Sequence, residues 1–136
     1  CHDSPLTWLD WTLAEKNLKL LEFTKRMIAL RKQLFTFLFS KKSNYQWFNA
    51  SGGPEDHEPH VRTLHYEVTN NEFPEQTIRV LINCFDRPVK FEVTEEKNWL
   101  VLIDTDKEPS DYISPVDGCA WLEGYTVQVI KNDTIS

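Results

Sequence analysis

The side chains able to do chemistry fall into three groups along this 136-residue chain. The first is His57, His60 and His65, with Asp56 and Glu58 beside them. Imidazole and carboxylate can hold a transition metal, but zinc sites need paired ligands at short, defined spacings, and this run follows none of them. It reads as a polar loop leading into a strand on which His65 faces solvent, with no metal and no cofactor. The second group is Asp104, Asp106, Asp111 and Asp117. Glycoside hydrolysis needs two carboxyl groups about 5–9 Å apart across a sugar. These four sit among prolines in what reads as an exposed loop, with nothing apolar to raise the pKa of one of them, so solvated loop charge is the expectation. The third group is aromatic. Tyr45, Trp47 and Trp121 could stack on sugar rings if they were exposed, and core packing is the ordinary alternative expected here.

Other signatures exclude more than they suggest. No Gly-x-Ser-x-Gly, phosphate loop, dinucleotide fingerprint or Cys-x-x-Cys occurs, and Gly52-Gly53-Pro54 reads as a turn. Asn49-Ala50-Ser51 and Asn132-Asp133-Thr134 match the glycosylation triplet, a pattern frequent by chance. The net charge of −6 supplies no positive field to recruit nucleic acid or an anionic membrane. Cys1, Cys84 and Cys119 are an odd number at wide spacing, which reads as reduced thiols in a cytoplasm or plastid stroma. No apolar run is long enough for a membrane span. The chain starts at Cys1 without methionine and directly in loop composition, so it reads as truncated at its N-terminus.

The elements that must position these groups change character near residue 43. Before it, Leu20, Leu21, Thr24, Met27, Ile28, Leu34 and Phe35 follow helical spacing, and Thr12 with Glu15 forms a Thr-x-x-Glu capping box. One helix is expected over residues 13–35. Leu13, Phe23 and Leu30 widen its apolar stripe, and Trp8, Leu9 and Trp11 precede it, so more than one neighbour is needed to cover this surface. After Ser43 the period is two. Leu64, Tyr66 and Val68 alternate with polar residues, as do Val89, Phe91 and Val93, and Tyr125, Val127 and Val129. Residues 78–85 and 99–103 are apolar on both faces, as central strands covered on both sides would be. Turn residues punctuate these runs at Asn70-Asn71, at Asp86-Arg87-Pro88 and through residues 107–118. The fold class expected is mainly β, an antiparallel sandwich preceded by one long helix.

Residues 1–32 also carry a resemblance. Cys1-His2-Asp3-Ser4-Pro5-Leu6-Thr7-Trp8-Leu9-Asp10-Trp11, then Asn17, Leu20, Leu21, Phe23 and Met27-Ile28-Ala29-Leu30-Arg31-Lys32, resembles the isoamylase and glycogen-debranching branch of the α-amylase clan. Val80-Leu81-Ile82-Asn83 and Leu102-Ile103-Asp104-Thr105 resemble the same family's C-terminal β-domain more weakly. The chain departs from the family pattern with His2 in place of glutamine, Ser4 in place of asparagine, and Leu34-Phe35 where His-Pro commonly follows the helix.

The resemblance implies that the helix is the last of a (β/α)₈ barrel. Residues 1–42 would be the end of the catalytic barrel and residues 43–136 a C-terminal β-sandwich. The parent would hydrolyse α-1,6 branch linkages of a branched α-glucan such as glycogen, amylopectin or limit dextrins, with retention. All catalytic carboxylates would lie on the upstream barrel, before Cys1. Barrel active sites sit on the loops after the strands, so His2 and Asp3, on the eighth such loop, are the expected substrate-binding residues. Leu20, Leu21, Met27 and Ile28 would be buried in the complete enzyme. Two other readings stay open: a non-catalytic isoamylase-like subunit, and an autonomous carbohydrate-binding sandwich.

Overall fold

The computed structural model describes residues 3–5, 7–55, 58, 60–93 and 98–133. They form two compact units, residues 1–36 and 37–136.

In the first unit the expected single helix is two. Helix α1 spans Thr12–Lys16 and α2 spans Leu18–Phe39, the last three residues of which belong to the second unit. The break is at Asn17, whose backbone leaves helical geometry (φ −116, ψ 40). Its backbone N–H and its side-chain amide both donate to the Leu13 carbonyl, at 2.9 and 3.1 Å. A side chain that bonds back to the carbonyl four residues earlier weakens and bends a helix at that point. The Thr12–Glu15 capping box does not form. Asp10 supplies the cap instead, its Oδ1 accepting from the Thr12 amide at 3.0 Å and the Thr12 hydroxyl at 2.6 Å. Helix α2 runs four residues past its expected end at Phe35. Leu34 and Phe37 are buried, but the four residues expected to pack in the complete enzyme are not: Leu20, Leu21 and Ile28 are exposed and Met27 is half-buried.

The second unit is the expected antiparallel sandwich. Strands β1 (Ser43–Phe48), β2 (Thr63–Asn70), β3 (Thr77–Asn83), β7 (Thr126–Asn132) and β5 (Trp99–Asp104) make one sheet in that order. Strands β4 (Val89–Glu92) and β6 (Cys119–Leu122) pair as a second. Every pairing is antiparallel. Leu81, Ile130 and Trp99 of the large sheet pack with Phe91, Ala120 and Leu122 of the small one, and this layer is the hydrophobic core. As expected, β3 is central; its inner face is buried, but on its outer face only Ile78 is buried and Val80 and Ile82 are half-buried. Strand β5 is an edge strand, with Leu100 exposed, contrary to the expectation for residues 99–103.

Hydrogen bonds from asparagines tie the turns to the sheets. Asn83 donates to the carbonyls of Arg87, Leu122 and Glu123, which holds the β3–β4 turn against the end of β6. Gly124 completes that junction, because a Cβ there would meet the Asp86 carbonyl carbon at 2.7 Å. At the other end, Asn70 donates to the Phe37 carbonyl at 3.0 Å and to the Ser43 hydroxyl at 3.1 Å, anchoring the end of α2 to β1 and β2.

Candidate functional site

The Thr7 hydroxyl shapes the turn that carries Asp3 and Trp8. Thr7 donates through both its amide and its hydroxyl to the Ser4 carbonyl, each at 2.9 Å, and this turn brings Trp8 back to Asp3. The Trp8 indole N–H donates to Asp3 Oδ1. Asp3 is exposed, and a carboxylate with one indole partner retains acceptor capacity for further donors such as hydroxyl groups. His2, the other residue expected to contact substrate, lies outside the described residues.

Among the described residues the histidine group does not converge. Asp56 and His57 lie outside the described residues, and no cluster able to hold a metal occurs among the described ones. His60 is exposed, whereas His65 is fully buried, which corrects the solvent-facing position expected for it. The alternation on β2 is real, but the polar set faces inward: His65 opposes Leu81, and Glu67 opposes Arg79, on the face that meets the small sheet. His65 packs against the rings of Phe48 and Phe91, at 5.0 and 6.1 Å between centroids. Its Nδ1 lies 3.3 Å from the Asn49 carbonyl, and its Nε2 has no hydrogen-bond partner among the described residues. Burial, and then the nearby Arg79 charge, push its pKa down to about 4, against a smaller opposing effect of the Asn49 carbonyl.

Arg79 is the residue that sequence reasoning missed. Its Nε donates to Glu67 Oε2 at 2.8 Å, and its guanidinium lies over the rings of Phe48 and Trp99 at 5.1 and 5.3 Å. The signal for it in the sequence is a pair of opposite charges, Glu67 and Arg79, on two strands consecutive in the chain.

Among the four aspartates, Asp104 is buried, contrary to the exposed loop expected for it, while Asp106, Asp111 and Asp117 are exposed. A register shift in β5 between Val101 and Ile103 sets Asp104 opposite Gln128. Bulges re-aim side chains in this way. Asp104 then accepts from the Gln128 amide and from the Asp106 backbone N–H, each at 2.9 Å. This is a structural role, closing a strand end; the four do not form a pair across an open cleft.

The three aromatics are all exposed, which corrects the core packing expected for them. Tyr45 and Trp47 share the outer face of β1. The Trp47 ring lies 4.9 Å from that of Tyr66, and the Tyr45 hydroxyl donates to the Leu38 carbonyl. Trp121 stands elsewhere, on β6 opposite Lys90, with Ala120 and Leu122 on either side turned into the core. It borders an open groove of about 680 Å³ whose lining includes Lys90, Lys107, Asp117 and Glu123. One wall of the groove is a tight turn at Asp117 and Gly118, both at positive φ (48 and 68), which pairs Val116 with Cys119. An Asp-Gly pair is suited to a turn with two such residues, a more specific signal than the loop composition of residues 107–118 as a whole. Cys84 and Cys119 are both free thiols. Among the described residues, no helix is long and apolar enough to cross a membrane.

The chain is similar to known proteins. No family model matches the chain. A glycogen debranching enzyme of Cronobacter sakazakii is 36% identical over 59 residues, covering 40% of this chain and 9% of that protein. A glycogen operon protein GlgX homolog of Haemophilus influenzae is 42% identical over 57 residues, 40% of this chain and 8% of that protein. A GlgX homolog of Mycobacterium tuberculosis is 24% identical over 143 aligned positions, which take in 99% of this chain and 19% of that protein. The chain therefore spans less than a fifth of the curated relatives it matches. Among solved structures, an α-amylase from H. orenii superposes with a TM-score of 0.62 at 22% identity, over 96% of this chain and 25% of that one. That likeness shows the fold. Together these relatives bear out the resemblance to the debranching branch of the α-amylase clan.

Proposed function

We propose that this chain is the C-terminal segment of a glycoside hydrolase that cleaves α-1,6 branch linkages in glycogen, amylopectin or limit dextrins. The observation that carries the reading is the 36% and 42% identity to a glycogen debranching enzyme and a glycogen operon protein over 59 and 57 residues. In this reading residues 1–42 close a catalytic barrel, with α2 as its last helix, and residues 43–136 are an appended sandwich. The apolar surface of the first unit supports it. Trp8, Leu9, Trp11, Leu20 and Ile28 are all more than half exposed, a patch that calls for a partner surface such as the upstream barrel.

The chemistry would then belong to carboxylates on earlier barrel strands. In the retaining reaction one carboxylate attacks the anomeric carbon while a carboxylic acid protonates the leaving oxygen. Water then hydrolyses the glycosyl ester with that second group acting as base. This segment would supply scaffold and a cleft edge, with His2 and Asp3 on the loop at the catalytic face of the barrel. The reading implies a cytoplasmic or stromal enzyme of branched-glucan metabolism, needing no cofactor.

The test is turnover on pullulan, amylopectin and glycogen by the isolated chain and by the longer protein that contains it. The chain alone should show none, because a hydrolase without its carboxylate pair loses many powers of ten in rate. Activity that copurifies with the isolated chain and scales with its concentration would refute the placement of the catalytic groups upstream.

A further inference from the structure

We propose that the groove beside Trp121 binds a neutral, α-linked glucan chain; the choice of an α-glucan rests on the proposed function above, while the site itself rests on the local geometry. Trp121 is 64% exposed, although its strand neighbours Ala120 and Leu122 are buried. Strand alternation thus holds a large ring out in water on a rigid support, paired through Lys90 to β4. Beside it Ile113 and Val116, also 64% exposed, add apolar wall. The volume of about 680 Å³ is in the range of sites for small ligands, roughly 300–1,000 Å³.

The charges select the ligand class. Lys90, which pairs with Glu92 Oε1 at 3.3 Å, and Lys107 offset Asp117 and Glu123 around the groove, so a polyanion meets carboxylates and a polycation meets ammonium groups. A neutral polyhydroxyl chain meets no such opposition. Its hydroxyls can donate to the carboxylates and accept from the ammonium groups, while the C–H face of a pyranose ring lies on the indole. The other exposed tryptophan on the sandwich, Trp47, already has Tyr66 against its ring. Trp121 combines an open aromatic face with convergent polar groups.

The experiment is titration of the 136-residue chain with maltoheptaose, by calorimetry and by tryptophan fluorescence, backed by retardation in amylopectin gels. Binding is expected, with Trp121→Ala weakening it about tenfold or more, Trp121→Phe retaining most of it and Trp47→Ala unchanged. Because Trp121 contributes little to the core, the melting temperature of Trp121→Ala should match that of the parent chain, which separates lost binding from lost fold. Undiminished affinity in Trp121→Ala, preference for cellohexaose, or no binding at millimolar sugar would overturn the proposal. Binding is read here without turnover. Failure of the longer protein to cleave branches would therefore count against the proposed function alone, and a groove indifferent to maltoheptaose against this site alone.

Discussion

Arg79 and Glu67 form an ion pair at 2.8 Å inside the sandwich, with side chains only 10% and 15% exposed. Removing one member leaves the other charge buried without its partner, which typically costs about 3–5 kcal/mol, whereas replacing both by apolar groups is often neutral. Glu67→Ala should therefore lower the unfolding free energy by roughly 3 kcal/mol in urea titration. The Glu67→Leu, Arg79→Met double variant should recover most of it. A single variant within 0.5 kcal/mol of the parent, on the scale of ordinary surface substitutions at about ±0.5 kcal/mol, would show that the pair does not close this core.

His65 makes stability depend on pH. Its folded pKa of about 4 lies below the ordinary 6.5, so the native state favours neutral imidazole. Above pH 6.5 neither state is protonated and His65 contributes no slope. As pH falls through 6.5 the unfolded chain takes the proton first, and stability is lost progressively until pH 4, where the native state binds it too. The full loss has an upper bound of roughly 3 to 4 kcal/mol at 1.36 kcal/mol per pKa unit. Urea unfolding of the parent chain and of His65→Leu at intervals across that window should give a steeper acid loss for the parent. Parallel curves would mean that His65 titrates alike in both states.

His65, Glu67 and Arg79 also mark the limit of what was legible in the sequence. The period-two runs located the strands, but the same alternation placed His65 on the wrong side, because it assumed that polar residues of β2 face water. Here His65, Glu67, Arg79 and Gln128 face inward: Arg79 donates to Glu67 and Gln128 to Asp104 across strands, and His65 packs against aromatic rings, while His65 Nε2 and Gln128 Oε1 have no hydrogen-bond partner among the described residues. Pairing across strands is invisible to local periodicity. The same is true of Trp121: strand alternation does not reveal which face a two-stranded sheet turns to the core. The helix misreading has a different origin, a side-chain amide at Asn17 and a cap at Asp10 that outcompeted the Thr12–Glu15 pattern. Asp3 was legible as a loop residue, and its bond from Trp8 was not.

Helix α2 should behave differently alone and in context. Leu21 is 37% exposed in this chain, so Leu21→Ala here should change stability by less than about 1 kcal/mol. If a barrel covers that face in the longer protein, the same change should cost roughly 2–5 kcal/mol through transfer and cavity terms. Thermal unfolding of both pairs of proteins provides the comparison. Equal, small effects in the two contexts would contradict the assignment of α2 as a barrel helix.

Asp3 separates substrate contact from loop anchoring. If its carboxylate bonds a sugar hydroxyl, Asp3→Ala in the longer protein should lower kcat/KM on branched glucan about ten- to a hundredfold, the equivalent of roughly 1.5–3 kcal/mol. If it serves only to hold Trp8, the change should appear as reduced melting temperature with kcat/KM unchanged. Both quantities measured on one preparation distinguish the two, and the second outcome would remove Asp3 from the cleft.

The proposed activity itself is tested most directly by proton NMR of a branched glucan during digestion by the longer protein. The α-1,6 and α-1,4 anomeric protons are resolved, and the configuration of the newly formed reducing end can be read before it mutarotates. The account predicts that the α-1,6 signal falls while the α-1,4 signal persists, and that the first product appears as the α-anomer, as two successive displacements require. Loss of the α-1,4 signal with α-1,6 linkages intact, or a β-configured first product, would contradict it.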